Sequence, residues 1–199
     1  MLPTNFTNDL TKILKFYKRI LFLGIGENRM GDDGFGPYVS HQLLLHSHDH
    51  PLSNKIKIIN GKTNYVDRNL EIIEFNPDVL LILDTCQPND DETDSTPSKL
   101  VIGKEEELVN WLPLSSHVLP IPVFIREVKR SLPELKSLLI GVIPVSTEHT
   151  EEVLQYKPEL YTLDDYETNP DLPFYEFNLS PKIQKIADDL VNYLLDILA

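Results

Sequence analysis

The sequence predicts an α/β fold: a three-layer α/β/α arrangement on a mostly parallel sheet of about five strands, with one edge strand antiparallel. Three observations predict it. Short β-branched and leucine-rich runs at Arg19–Gly24, Lys55–Asn60, Asp78–Asp84 and Lys136–Gly141 show little alternation, as strands buried on both faces do. Between them, Gly34–His46, Asn64–Phe75 and Leu119–Ser131 carry apolar residues at helical spacing, the rhythm of right-handed crossovers. Finally, Lys99–Gly103 follows a polar loop with no room for a crossover helix, which places it as an edge strand antiparallel to the third.

Two further helices flank this frame. Leu10, Ile13, Leu14 and Tyr17 repeat at helical spacing ahead of the first strand, so residues 1–18 read as an added N-terminal helix with Asn8 as its cap. At the other end Ser180-Pro181 reads as a capping serine with proline at the first helical position. Ile183, Ile186, Ala187, Leu190, Val191, Leu194 and Leu198 then continue a long amphipathic helix. The acidic loop Gln87–Pro97 and the stretch Val145–Asn178 fit neither pattern; the second, with Pro158, Pro170 and Pro173, reads as an insertion in a single domain spanning 1–199.

Composition excludes several classes of function. With 31 acidic against 18 basic side chains the net charge is −13, which repels phosphate backbones and anionic membranes, so neither nucleic acid nor membrane is expected as partner. A lone Cys86 rules out an internal disulfide framework and cysteine-rich metal sites. No apolar run has the length of a membrane span, and Met1–Lys18 lacks a signal-peptide core, so a soluble, cytoplasmic monomer is expected.

The glycine-rich string Gly24-Ile-Gly-Glu-Asn-Arg-Met-Gly31-Asp32-Asp33-Gly34-Phe-Gly36 leaves the first strand and opens a helix, the setting of phosphate-binding loops. Its spacing is not G-x-G-x-x-G, it lacks a Lys-Ser/Thr pair, and Glu27, Asp32 and Asp33 stand where an anion would sit. One of the two adjacent aspartates can serve the helix start, whereas a second carboxylate beside it is best tolerated with a cation, which makes Asp33 the candidate for chemistry. Asp84 ends the run Asp-Val-Leu-Leu-Ile-Leu-Asp at the carboxyl edge of a central strand, where open α/β sheets bind ligands. His117 precedes the Leu119–Ser131 helix. Two carboxylates and an imidazole converging from separate loops suit a borderline divalent metal such as nickel or zinc. By contrast His46, His48 and His50 read as a solvated connection on the opposite edge, and Cys86, with no His or Lys beside it, as a buried or incidental thiol.

In order and spacing, Leu23-Gly-Ile-Gly, Met30-Gly-Asp-Asp-Gly-Phe-Gly-Pro37, Leu81-Ile-Leu-Asp84, Ser115-Ser-His117-Val-Leu-Pro120 and Leu138-Leu-Ile-Gly-Val-Ile-Pro144 resemble the nickel–iron hydrogenase maturation endopeptidases. They are most similar to the branch that processes the formate-hydrogenlyase, or hydrogenase 3, type of large subunit. The resemblance covers Arg19–Pro144 and the terminal helix. It implies an aspartic-type endopeptidase that clips a C-terminal peptide from the large-subunit precursor after nickel insertion. It also implies that Asp33, Asp84 and His117 contact nickel brought by the substrate. One departure is Glu27, which stands where the family usually has Asn and offers an additional ligand. The rival expectation is a non-catalytic metal- or peptide-binding relative that keeps the site without cleavage, and Glu27 is the feature that favours it.

Overall fold

Every central strand sends alternate side chains into two separate cores, which is why its sequence shows no polar face. In the computed structural model, which describes residues 1–28, 30–49, 54–88, 94–113, 119–147 and 178–198, β1 (Ile20–Ile25) is buried throughout. Its Ile20 and Phe22 face one core, and Leu21, Leu23 and Ile25 face the other. The same alternation divides β3 (Val79–Pro88): Val79, Leu81 and Leu83 pack on one side, Leu80, Ile82 and Cys86 on the other.

The first core is closed by α1 (Thr4–Phe16), α2 (Phe35–Asp49) and α5 (Pro181–Leu198), through Phe6, Leu10, Phe35, Val39, Leu43, Ile183, Ala187 and Leu190. The second is closed by a 3-10 turn at Tyr65–Arg68, α3 (Asn69–Phe75) and α4 (Ile121–Ser131), through Tyr65, Ile72, Phe124, Ile125 and Val128. Three layers result, as the sequence predicts.

The strands β2 (Ile56–Lys62), β1, β3, β6 (Lys136–Val142) and β4 (Leu100–Lys104) lie side by side in that order. Neighbours are parallel except β4, which runs antiparallel to β6. The edge strand therefore has the predicted direction but a different neighbour: it pairs with β6 rather than with the third strand. That third strand is already flanked by β1 and β6, and Gln87 and Pro88, expected in the acidic loop, extend it. There a three-residue strand β5 (Trp111–Pro113) pairs antiparallel with Cys86–Pro88.

Other expectations need smaller corrections. The first helix begins at Thr4 with Pro3 as its cap, so Asn8 lies inside the helix and not at its start. The segment Asn64–Phe75 is divided into the 3-10 turn and a short α3, which ends at Asn76 in the left-handed conformation. His46 belongs to α2, which continues to Asp49, rather than to a loop; His50 lies outside the described residues. Residues 89–93 of the acidic loop and most of the insertion, 148–177, likewise lie outside them. Among the described residues no helix is long and apolar enough to cross a membrane.

Candidate active site

The glycine loop is shaped by packing and serves two carboxylates. Gly36, one residue into α2, presses on the ends of β1 and β3: a Cβ there would lie 2.1 Å from the Leu83 carbonyl oxygen and 2.4 Å from that of Ile25. Only glycine lets the helix approach so closely. After β1, Gly26 adopts φ +135 and brings the chain back so that a Cβ on it would fall 2.0 Å from the Asp33 carbonyl oxygen. Backbone contact thus accounts for glycines that in other α/β proteins approach a phosphate.

Asp32 and Asp33 both lie in a 3-10 turn, Gly31–Gly34, that leads into α2, and both are fully buried. Their partners separate their roles. The Asp32 carboxylate accepts from the backbone N–H groups of Val145 and Ser146, each at 2.8 Å, from that of Ser180 at 2.6 Å, and from the Ser180 hydroxyl at 3.0 Å. Its own N–H donates to the Ser146 carbonyl at 3.0 Å. One carboxylate therefore joins the chain leaving β6 to the chain entering α5, which are the two ends of the long insertion. Ser180, expected as a helix cap, does precede the helix with Pro181 in its first position, but its hydroxyl is given to Asp32.

Asp33 is turned to the sheet. Its Oδ2 accepts the Glu27 backbone N–H at 2.7 Å, and its Oδ1 accepts the Thr85 hydroxyl at 2.8 Å. Thr85 follows Asp84 in β3, and its backbone N–H donates to Asp84 Oδ1 at 2.8 Å. One threonine thus holds both carboxylates. Because strand side chains alternate, Thr85 reaches toward the α2 face while Asp84, only 1% exposed, lies toward the α3 and α4 face with Tyr65 and Cys86. Asp33 and Asp84 are accordingly tied to the same residue at the carboxyl end of β3 from opposite sides of the sheet.

Cys86 stands two residues beyond Asp84 on that side, buried, with its Sγ against Gly141. Burial, reinforced by the Asp84 charge, pushes its thiol far above the ordinary value, so it is a protonated core group at neutral pH. The same two causes raise the Tyr65 phenol. Glu27, half-buried and six residues before Asp33, contributes its backbone N–H to the Asp33 carboxylate. His117 lies outside the described residues. Among those described, no three His, Cys, Asp or Glu side chains gather as a metal site. Sequence reasoning missed Thr85, although its position after Asp84 in a two-faced strand was the available signal.

No family model matches the chain. Over 139 residues it is 26% identical to a Methanocaldococcus jannaschii protein named as a hydrogenase maturation protease, covering 66% of this chain and 75% of that one. Among solved structures, the nickel–iron hydrogenase maturation protease HycI of Thermococcus kodakarensis is similar with a TM-score of 0.67 at 21% identity, over 96% of this chain and 98% of that one. The hydrogenase maturating endopeptidase HybD of Escherichia coli is similar with a TM-score of 0.56 at 20% identity, over 90% and 91%. The chain has the fold of the hydrogenase maturation proteases, and its mixed sheet with one antiparallel edge is theirs.

Proposed function

We propose that this chain is a hydrogenase maturation endopeptidase, which removes the C-terminal extension from a nickel–iron hydrogenase large-subunit precursor once nickel is in place. The observation that carries the reading is the pair of buried carboxylates, Asp33 and Asp84, held by Thr85 at the carboxyl end of the central strand. Two buried carboxylates linked through one threonine are both stabilised by a cation brought to that end of the strand. A site of that kind is complementary to a positively charged centre carried by the substrate. The motif resemblance and the shared fold with HycI and HybD support the same reading.

On this reading nickel is part of the substrate, bound by the precursor's cysteines. Asp33, Asp84 and His117 complete its surroundings, and Glu27 offers a further oxygen. These residues test whether the precursor is loaded and seat the adjoining peptide for cleavage. In the chemical step water adds to the scissile carbonyl carbon, the C–N bond breaks, and the proton that water loses ends on the departing amine. On this reading a carboxylate of the pair carries that proton as general base and then acid, and polarisation of the carbonyl by the substrate's metal is the alternative. Proteins named HycI and HybD share the fold alike, and the resemblance of the motifs favours the formate-hydrogenlyase type of precursor.

The test is the mass of a purified precursor, nickel-loaded and nickel-free, after incubation with the protein and with its Asp33→Ala and His117→Ala variants. Loss of a C-terminal peptide from loaded precursor only, abolished in both variants, is expected. Unchanged mass with retained nickel-dependent binding would instead identify a non-catalytic relative.

A further inference from the structure

At the amino end of β6 the sheet has a notch. β4 stops at Lys104, opposite Leu138, so among the described residues Lys136 and Ser137 of β6 have no strand residue paired with them on that edge. The notch opens into a cavity of about 820 Å³, the size of sites that take small organic molecules. It is distinct from the carboxylate pair. Lys136 pairs with Val79, the first residue of β3, while Asp84 and Thr85 lie about 16–20 Å further along that strand.

The cavity has an apolar wall and a positive rim. Ile13 and Tyr17 from the end of α1, Ile102 of β4 and Leu138 of β6 form the wall. Four separate elements bring lysines to it, and two of these are neutralised: Lys12 donates to Asp9 at 2.9 Å, and Lys129 to both carboxylate oxygens of Glu105, at 2.7 and 2.9 Å. Lys104 and Lys136 have no ion pair among the described residues. Strand alternation puts both on the face that carries Ile102 and Leu138, at diagonal positions about 7–8 Å apart, where like charges repel. Glu106 is the lining carboxylate left to oppose them, so the rim is positive in a chain of net charge −13. Ser137, 2% exposed, lines the same cavity, and its buried hydroxyl has no hydrogen-bond partner. Buried hydroxyls are ordinarily satisfied by protein, water or ligand.

We propose that this notch is a binding site for a small amphipathic anion, with a carboxylate or phosphate group held between Lys104 and Lys136 and an apolar body against the wall of Ile13, Tyr17, Ile102 and Leu138. The site stands apart from the carboxylate pair and does not depend on the function proposed for it.

Calorimetric titration of the full chain at low salt with octanoate, octyl phosphate, 1-octanol and inorganic phosphate separates the contributions of head and body. At least one of the two amphipathic anions should bind about tenfold or more tightly than both 1-octanol and inorganic phosphate, and the order of the two identifies the head group. Lys104→Gln combined with Lys136→Gln should weaken that binding about tenfold or more. Lys57→Gln combined with Lys185→Gln, which removes the same charge from β2 and α5, should change it by less than about twofold. Amide chemical-shift changes on binding should centre on Lys104, Ser137 and Leu138. No binding of either amphipathic anion at about 10 mM would overturn the proposal. So would 1-octanol or inorganic phosphate binding as tightly, a loss in the Lys104 and Lys136 variant no larger than in the control, or shift changes confined to other parts of the chain.

Discussion

Adjacent aspartates with opposite tasks make a sharp prediction, because a change from carboxylate to amide is nearly isosteric and should affect them differently. At Asp32 every partner is a donor: three backbone N–H groups and the Ser180 hydroxyl. An asparagine there keeps its oxygen where Val145, Ser146 and the Ser180 hydroxyl converge, and its NH2 then meets the Ser180 N–H, donor against donor, where the carboxylate accepts at 2.6 Å. One charge-assisted bond is lost, worth about 1.5–3 kcal/mol, and the remaining ones weaken from charged to neutral acceptor, for about 3–4 kcal/mol in all. At Asp33 an asparagine can still accept from Glu27 N–H, and its NH2 meets a hydroxyl that can turn to receive it, that of Thr85. It also removes one of two neighbouring buried carboxylates. The net change should be within about 1 kcal/mol, of either sign. Urea unfolding of the two variants, with midpoint and slope both measured, checks this. Equal losses, or an Asp32→Asn loss below about 1 kcal/mol, would refute the division of roles.

Three further outcomes are expected. Gly36→Ala should cost about 3 kcal/mol or more, seen as a large drop in melting temperature, since its Cβ would meet strand backbone that cannot give way; a stable variant would show that α2 can shift. Native Cys86 should react with a thiol reagent at least about 100-fold more slowly than in the urea-unfolded chain, and comparable rates would contradict its burial beside Asp84. Burial and the Lys62 charge hold the His41 imidazole below its ordinary 6.5, so the unfolded chain takes up the proton first and stability falls as pH drops through about 6.5. His41→Gln should flatten that decline, and an unchanged pH profile would show that His41 does not contribute to it.

The strands and long helices were legible in the sequence because burial on both sheet faces leaves no polar alternation, and an amphipathic helix leaves a regular one. Strand pairing was less so: β4 lies against β6 because β3 already has two neighbours, a fact of sheet order that no local pattern carries. Asp33 and Asp84 could be chosen from their positions at the ends of strand and loop. Asp32's partners could not, since Val145, Ser146 and Ser180 lie more than a hundred residues away in the chain. Thr85 was overlooked because a hydroxyl in an apolar run is conspicuous only once the group it faces is known.

The most direct test of the central claim is the rate at which nickel-loaded precursor is shortened by Asp84→Asn relative to wild type, with precursor binding measured alongside. If the buried carboxylate pair performs the cleavage, the rate should fall by at least about a thousandfold while the variant stays folded and still binds precursor. A rate within about tenfold of wild type would place the chemistry elsewhere in the molecule.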